Sequence, residues 1–333
     1  MSAWLLRRWY SPRPIWFLIP LAWVFWLLSS LRRSAYTMGA LPAVSLSVPV
    51  VVVGNISVGG TGKTPFVIWL AQELRKRGCR PGIVTRGYGG DIPAPRLVTS
   101  DSDPRVVGDE ALLLVRHSGS PVVAGRDRVA AAELLLKPGD VDVILSDDGL
   151  QHYRIQRQYE IVLIDGSRGL GNGWLLPAGP LRESEARLEG PQVIIKLSPG
   201  GSFTWPDAAR MGLKVETAVN LKDGKRRPLS SFSTQRVHAI AAIGNPQQFF
   251  ATLEAVGLHV DGRALPDHAV PGASDLEFGD DLPVFMTEKD AVKCRESALA
   301  RHWYVEAAAE FDAGDTAQIL DGVERALARG IKR

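Results

Sequence analysis

A short apolar run that leads into a glycine-rich loop constrains the fold of this chain more than any other feature. Residues 48–53 read Val-Pro-Val-Val-Val-Val, and β-branched runs of this length are typical of a parallel strand that is covered on both faces. The glycines of the following loop allow backbone N–H groups to converge on an anion, and a helical pattern begins directly behind them. The segment therefore predicts a loop that binds the phosphates of a nucleoside triphosphate.

Two side chains at the end of this loop have the chemistry that a triphosphate requires. Lys63 would reach the β- and γ-phosphates, and Thr64 would offer its hydroxyl to Mg²⁺. The usual pattern has glycine where this chain has Ser57, so the loop is a variant, and a glycine-rich turn with an accidental Lys-Thr pair is the alternative. The predicted ATP-binding residues are Ser57, Val58, Gly59, Gly60, Thr61, Gly62, Lys63 and Thr64.

Short apolar runs alternate with helical patterns as far as residue 197. Such alternation indicates an α/β fold, with a P-loop NTPase-type parallel sheet flanked by helices. The predicted strands are 48–53, 82–85, 121–124, 141–145, 161–164 and 193–197, and the predicted helices are 66–77, 110–117 and 128–136. A second set of strands and a final helix follow a looser segment. We therefore expect a P-loop domain at 37–200 and a smaller α/β domain at 201–333 that closes a cleft.

Two adjacent acids end one of the predicted strands. Asp147 and Asp148 follow an apolar run, and neighbouring carboxylates at a strand tip repel each other unless a cation joins them. In a nucleotide site such acids hold Mg²⁺ opposite the loop threonine, so we predict a metal site made of Thr64, Asp147 and Asp148. A solvated Asp-Gly turn is the alternative for this pair.

The first 36 residues combine positive charge with a long apolar run. They contain five arginines and no acid although the whole chain is only +3, so the remainder is slightly acidic and a nucleic-acid partner is not expected. Residues 14–31 are uncharged and would span about 27 Å as a helix. We predict an uncleaved N-terminal membrane helix at 1–36, and leave open whether it crosses the bilayer or lies partly submerged.

Other polar residues are ambiguous when they are read one at a time. Asp109 opens a predicted helix, where a capping role is favoured. The Asp267-His268 pair in a loop is usually just polar surface. Arg86 stands beside a flexible aromatic loop, and Asn172 precedes a turn-rich segment at 176–183 that would line a cleft.

Taken together, these motifs resemble the tetraacyldisaccharide 4′-kinase family, the lipid A 4′-kinases of Gram-negative bacteria. The resemblance covers nearly the whole chain, and the ordered set of motifs behind an apolar N-terminus is what makes it specific. The motifs are the loop at 54–64, Arg86-Gly87-Tyr88-Gly89, Gly108-Asp109-Glu110, Asp147-Asp148-Gly149-Leu150-Gln151-His152, the segment 176–183, Ile243-Gly244-Asn245-Pro246, Pro266-Asp267-His268 and Thr287-Glu288-Lys289-Asp290-Ala291-Val292-Lys293.

The resemblance implies transfer of the ATP γ-phosphoryl group to the 4′-hydroxyl of tetraacyldisaccharide 1-phosphate, which gives lipid IVA in lipopolysaccharide assembly. It implies ATP and Mg²⁺, and an acylated glucosamine disaccharide 1-phosphate as the lipid substrate. By the same resemblance Asp109 is the base, His268 orients it and Lys63 completes the catalytic set. A second histidine often follows the Asp-His pair in this family, and Ala269 stands there. Residues that match as substrate or phosphate contacts are Arg86, Gln151, His152, Asn172 and Arg182.

A membrane anchor suits this substrate, because four acyl chains hold it in a bilayer. We expect the chain at the bacterial inner membrane, in contact with its lipids, with the active site on the cytoplasmic face. The main alternative is a membrane-associated P-loop ATPase switch of the partition or septum-positioning type. Those switches place a lysine just before the glycine pair, where this chain has Val58. A ligase similar to dethiobiotin synthetase shares the loop but has no reason for an anchor.

Overall fold

One continuous mixed sheet of thirteen strands runs through the computed structural model, which describes residues 3–330. The strands are β1 Val50–Gly54, β2 Pro81–Thr85, β3 Arg96–Val98, β4 Val122–Ala124, β5 Val143–Asp147, β6 Tyr159–Asp165, β7 Gln192–Lys196, β8 Ala209–Asn220, β9 Arg226–Pro228, β10 Arg236–Ala241, β11 His259–Ala264, β12 Val284–Thr287 and β13 His302–Glu310. Their spatial order is β11-β10-β12-β13-β8-β7-β6-β1-β5-β2-β4-β3, and β9 pairs with β8.

Nine α-helices occur in the same part of the chain. The helices are α1 Ala3–Trp9, α2 Ile19–Thr37, α3 Lys63–Lys76, α4 Pro104–Val107, α5 Asp109–Ser118, α6 Arg128–Leu136, α7 Pro246–Ala255, α8 Glu288–Ala291 and α9 Ala313–Gly330. The three helices expected between the first strands correspond to α3, α5 and α6, and their ends lie within three residues of the expected bounds.

The first half of the sheet is parallel around its central strand, β1. Strand β1 lies between β5 and β6 and is parallel to both, and every residue of it is buried. Alternate valines of β1 point to opposite faces: Val51 and Val53 pack with α3 and α5, whereas Val50 and Val52 pack with α6. The expected parallel sheet with helices on both faces is therefore confirmed.

Strand β8 joins the two halves of the molecule. Its first residues pair in parallel with β7, and its later residues pair antiparallel with β13, so one strand belongs to both parts of the sheet. Strands β10 to β13 form the second parallel group, which has its own apolar core. The division into a P-loop domain and a smaller α/β domain at residue 200 stays a prediction.

The last helix packs on the first half of the chain. Ile319, Leu320 and Val323 of α9 are fully buried in the same apolar cluster as α3 and α5. Phe311, just before α9, stacks on Trp69 of α3 with ring centroids 4.3 Å apart. The C-terminal segment therefore completes the core that lies beneath the glycine-rich loop.

The N-terminal membrane helix expected at 1–36 is not supported. The apolar run is divided, because a 3₁₀ turn at Trp16–Leu18 precedes α2, and α2 continues through Arg32 and Arg33. Its uncharged part, residues 19–31, is only about 20 Å long. Across residues 3–330, no helix is both long and apolar enough to cross a bilayer.

Shortening Leu320 to alanine tests the packing of α9. Leu320→Ala removes a fully buried side chain and leaves a cavity between α9 and the central sheet. We expect the free energy of unfolding to fall by about 2–5 kcal/mol, measured by urea denaturation. The matched control is Leu97→Ala on the edge strand β3, where the leucine is 56% exposed and the expected change is within about 0.5 kcal/mol. Equal effects of the two substitutions would contradict this packing.

Candidate active site

The glycine-rich loop after β1 leads directly into α3. Gly62 precedes the first helical residue, Lys63, and has φ of +83°, a left-handed conformation that glycine adopts without strain. Its α-hydrogen faces packed side chains, since a Cβ there would lie 2.8 Å from Cε of Met211. No side chain of the described residues caps α3, so its first N–H groups remain available to an anion.

Neighbouring segments hold the loop in place. The N–H of Val58 donates to the carbonyl of Pro180 at 2.9 Å, and Ser57 pairs with Leu181 as an isolated bridge. The hydroxyl of Tyr10 donates to the carbonyl of Val58 at 3.1 Å, so the N-terminal segment touches the loop. These contacts fix the loop backbone before any ligand is bound, which reduces the ordering that phosphate binding requires.

Two of the three predicted metal ligands, Asp147 and Asp148, lie where β5 ends, and Asp148 is beside Lys63. Nζ of Lys63 is 3.4 Å from Oδ1 of Asp148, and a guanidinium nitrogen of Arg182 is 3.7 Å from the same oxygen. Burial opposes ionisation of Asp148, but the nearby charges of Lys63, Arg182 and Arg128 lower its pKa to about 2. Asp148 is therefore a carboxylate at physiological pH.

Asp147 lies in a different environment. Its side chain is fully buried, and burial, together with the charges of Glu110 and Asp148, raises its pKa to about 6. Thr85 donates to Oδ2 at 3.1 Å, but Oδ1 is buried without a hydrogen-bond partner. A buried carboxylate oxygen that lacks a donor, next to a second carboxylate, is a fitting place for a hard cation.

The donor set fits Mg²⁺ bound together with phosphate. Magnesium in such sites is commonly held by one or two carboxylates, a hydroxyl, and phosphate and water oxygens. Thr64, in the first turn of α3, is buried, and the acids Asp147 and Asp148 end the adjacent strand β5. Within residues 3–330 there is no cluster of three or more His, Cys, Asp or Glu side chains arranged to hold a metal.

Asp109 and His268 meet although 159 positions separate them in the chain. Nδ1 of His268 lies 3.5 Å from Oδ2 of Asp109, and the ring of Tyr88 lies 4.7 Å from the His268 ring. His268 has φ of +61°, an unusual backbone conformation for a residue with a side chain. Burial of Asp109 would raise its pKa, but His268, Lys289 and Lys293 together hold it well below its usual range.

The expected capping role of Asp109 is only partly seen. The first residue of α5 is Asp109 itself, its Oδ1 accepts a hydrogen bond from the N–H of Glu110 at 2.8 Å, and the preceding Gly108 is the cap residue. Oδ2 faces His268 and an ammonium group, Nζ of Lys293, at 3.0 Å. One oxygen therefore serves the helix and the other faces the cleft.

A turn after β10 brings the His268 segment next to the glycine-rich loop. A Cβ added to Gly244 would lie 3.2 Å from the backbone nitrogen of Gly60 and 3.5 Å from Oδ2 of Asp267. Arg168 donates to the carbonyl of Gly244 at 2.7 Å, and its guanidinium lies over the ring of Tyr10. The candidate phosphate loop and the Asp109–His268 pair are thus on the same side of one cleft.

The other matched residues are distributed around this cleft. Gln151 donates to the carbonyl of Asn55 at 3.1 Å and to the Glu183 carboxylate at 2.8 Å. Burial and the charge of Arg128 lower the pKa of His152 to about 4, so its ring is neutral at physiological pH. Arg86 is exposed at the end of β2. Contact of these residues with a substrate stays a prediction.

Asn172 is engaged elsewhere. Its amide nitrogen donates to the carbonyl of Ala178 at 3.0 Å, and its amide oxygen accepts from the N–H of Trp174 at 3.1 Å. Both ends of the side chain therefore brace the turn-rich segment. The cleft role expected for Asn172 is not needed to explain its position, and a contact with substrate stays a prediction.

The fold brings further charged residues to the site, beyond those in the predicted set of site residues. Arg128 is buried, donates to the carbonyl of Asp147 at 2.7 Å, and has a second nitrogen without a hydrogen-bond partner. Lys289 pairs with Glu110, and Lys293 with Asp109. The spacing of four residues between these lysines predicts one helix face, but it does not reveal which acids face them.

Comparisons with known proteins identify the family. The family described as tetraacyldisaccharide-1-P 4′-kinase matches residues 14–325. A tetraacyldisaccharide 4′-kinase from Nitrosococcus oceani is 46% identical over 329 residues, covering 98% of this chain and 96% of that protein. One from Alkalilimnicola ehrlichii is 51% identical over 289 residues, covering 86% of each.

A solved structure agrees with the sequence matches. The crystal structure of LpxK from Aquifex aeolicus in complex with ATP has a TM-score of 0.76 to this chain, at 26% identity. The alignment covers 93% of this chain and 98% of the other. Both the sequence and the fold therefore lead to one conclusion: the chain belongs to the tetraacyldisaccharide-1-P 4′-kinase family.

Proposed function

We propose that this chain binds Mg·ATP on the loop at 57–64 and transfers the γ-phosphoryl group to the 4′-hydroxyl of tetraacyldisaccharide 1-phosphate, giving lipid IVA. The observation that carries the proposal is the pairing of Asp109 with His268, whose segment lies next to the glycine-rich loop that ends in Lys63. The kinase activity agrees with the names of the relatives, and the nucleotide agrees with the ATP complex of the Aquifex aeolicus protein.

Phosphoryl transfer relies mainly on positioning and on neutralisation of charge. Lys63 would place its ammonium on the β- and γ-phosphates, and the free N–H groups at the start of α3 would face the same oxygens. Arg182 and Arg128, which surround the acid pair, would add positive charge beside the transferred group. These residues together stabilise the negative charge that spreads over the phosphoryl oxygens.

Thr64, Asp147 and Asp148 are the residues that would hold Mg²⁺. When bound, the ion neutralises phosphate charge and orients the phosphate chain. Oδ1 of Asp147 and Oδ1 of Asp148 are both buried without a hydrogen-bond donor, which supports their assignment as ligands.

Asp109 would accept the proton of the 4′-hydroxyl as the acceptor oxygen attacks. Its low pKa keeps it ionised, and a loose transition state needs a well-placed acceptor more than a strong base. His268 would orient the carboxylate from the second half of the chain. Because the two residues come from different halves of the chain, they meet only when the two halves are packed together as they are here.

The N-terminal segment would bring the site to the membrane surface. It exposes large apolar side chains, among them Trp16, Trp23 and Leu28, each more than 60% exposed. The exposed arginines of the same segment are Arg7, Arg8, Arg13, Arg32 and Arg33. Such a surface suits a helix that lies in the interface of an anionic bilayer, here the cytoplasmic face of the inner membrane.

A groove beside α2 supports an acylated substrate. It encloses about 530 Å³ between Trp23 and Trp26 of α2 and Trp174 and Leu175, which directly precede the turn-rich segment. The same turn-rich segment donates to and accepts from the glycine-rich loop through residues 180–182. A lipid chain in this groove would therefore lie on the path from the membrane surface to the phosphate site.

Removing the Asp109 carboxylate tests the proposed base. Asp109→Ala should lower kcat by about 10²- to 10⁴-fold, with a Kd for Mg·ATP within about twofold of the original, because the base acts only in the chemical step. Turnover is measured with the 4′-dephosphorylated lipid A precursor in micelles, and binding by a fluorescent ATP analogue. Full activity together with reduced helix stability would return Asp109 to a capping role.

The matched control is Asp103→Ala. Asp103 caps α4 through the N–H of Arg105, so its loss should lower the melting temperature slightly and leave kcat nearly unchanged. A switch-type ATPase would hydrolyse ATP without the lipid, so ADP formation that is independent of the precursor would contradict the kinase proposal.

Polar substitutions on the outer face of α2 test membrane docking. The variant Val24→Ser, Leu28→Ser, Leu31→Ser changes three side chains that are each more than half exposed. We expect affinity for vesicles that contain anionic phospholipid to fall by at least about tenfold, because about 1.5–3 kcal/mol of burial is lost per side chain. Co-sedimentation measures the effect, and Mg·ATP binding should not change.

The corresponding control is Leu97→Ser, Leu299→Ser, which alters exposed leucines outside the N-terminal segment. It should bind vesicles as the original chain does. If both variants bind vesicles equally well, α2 is not the docking surface.

A further inference from the structure

One buried ammonium group contacts Asp109 and also the turn that carries its partner His268. Nζ of Lys293 lies 3.0 Å from Oδ2 of Asp109, the same oxygen that faces His268. It also donates to the carbonyl of Ala269 at 3.4 Å, in the turn that carries His268. The Lys293 side chain is 9% exposed and the Asp109 side chain 3%, so the ion pair is shielded from water.

A second buried acid, Asp290, also lies close to the Lys293 ammonium. Oδ1 of Asp290 is 3.8 Å from Nζ of Lys293, and Asp290 is fully buried. Oδ2 of Asp290 accepts from the hydroxyl of Thr287 at 2.7 Å and from the N–H of Ala242 at 3.1 Å. The lysine therefore bridges two carboxylates, one from each half of the molecule.

The same network supports the backbone of His268. Ala242, whose N–H binds Asp290, accepts a hydrogen bond at its carbonyl from the N–H of His268, at 3.0 Å. His268 is held in a left-handed conformation that needs such support, since residues with side chains rarely adopt it. Lys293 thus fixes one oxygen of Asp109 directly and the His268 turn through Ala269.

Two other ion pairs join α5 to α8, but neither involves Asp109. Nε2 of His117 lies 2.7 Å from Oε1 of Glu288 at the far end of α5, where the His117 side chain is 32% exposed. Lys289 pairs with Glu110 rather than with the carboxylate of Asp109. All three contacts join the halves of the chain, but among them only the Lys293 contact meets the oxygen that faces the cleft.

We propose that Lys293 is a positioning residue for phosphoryl transfer: its ammonium sets the orientation of the Asp109 carboxylate and of the His268 turn toward the acceptor hydroxyl. The inference rests on the proposed function, in which Asp109 receives the hydroxyl proton. Lys293 acts on the reaction through Asp109, so its effect on turnover depends on the presence of that carboxylate.

A double-mutant cycle between positions 293 and 109 tests this dependence. Lys293→Met alone should lower kcat by about 10- to 100-fold, since a small displacement of a reacting group has effects of this size. The KM for ATP should change by no more than about twofold, because the phosphate loop is not altered. In the Asp109→Asn background the same Lys293→Met change should alter kcat by no more than about threefold.

A lysine with a structural role alone would give a different result. Its removal would lower kcat by the same factor with or without the Asp109 carboxylate, and additive losses would overturn the inference. The cycle also separates this inference from the proposed function. If Asp109→Asn alone leaves turnover high, the proposed base is wrong. If it lowers turnover strongly, to a rate that is still measurable, and the two losses add, only the role of Lys293 is wrong.

Two further variants keep the test decisive. Lys293→Arg retains the positive charge and should recover most of the turnover that Lys293→Met loses, whereas equally low turnover in both would contradict a charge-based role. His117→Gln removes the contact with Glu288 that joins α5 to α8, and it should keep kcat within about twofold of the original. If Lys293→Met does not fold, Lys293→Gln is used in the same cycle, and all rates are measured well below the melting temperature of each variant.

Discussion

The parallel pairing of β1 with β5 is the constraint from which the site follows. Val53 at the end of β1 is opposite Asp147 at the end of β5, so the glycine-rich loop and the acid pair emerge side by side from the same edge of the sheet. Ligands collect at the carboxyl edge of such sheets because the loops and helix N-termini meet there. A shift of one residue in this register would move Asp147 out of reach of Lys63 and Thr64.

The second half of the chain contributes to the site because the sheet does not stop between the halves. Strand β8 is hydrogen-bonded to β7 on one side and to β13 on the other. The Gly244 turn follows β10, and Lys293 follows β12. His268 and Lys293 then reach Asp109, and Gly244 reaches the glycine-rich loop. Because both halves share strand β8, the hydrogen bonds of the sheet fix the relative positions of the residues that make these long-range contacts.

Sequence alone predicted the parts of the fold whose signal is local. Stretches of about ten residues are enough to recognise the valine run of β1, the helical spacing of α3 and the acids where β5 ends. Strands β8 and β11 were not predicted, because β8 mixes charged and apolar residues and β11 is a largely exposed edge strand. The expected N-terminal membrane helix is not supported, because a 3₁₀ turn at Trp16–Leu18 divides the apolar run, and only Pro14 and Pro20 mark that break in the sequence.

Contacts between distant parts of the chain were beyond such reasoning. The spacing around Asp109 favours a cap, and only the family resemblance paired it with His268. Nothing near Lys293 in the sequence shows that it faces Asp109 or that Asp290 lies beneath it. The charge network of the site is a product of the tertiary fold, so it becomes visible only when the two halves are seen together.

The N-terminal segment is built into the nucleotide site as well as exposed to solvent. Trp9 is 2% exposed, and its indole N–H donates to the carbonyl of Pro177. The next residue, Tyr10, supports the loop carbonyl at Val58 and stacks with Arg168. A shortened protein that starts after residue 36 would therefore lose contacts that support the candidate phosphate loop. Nucleotide binding measured on it would differ from that of the full chain for this reason.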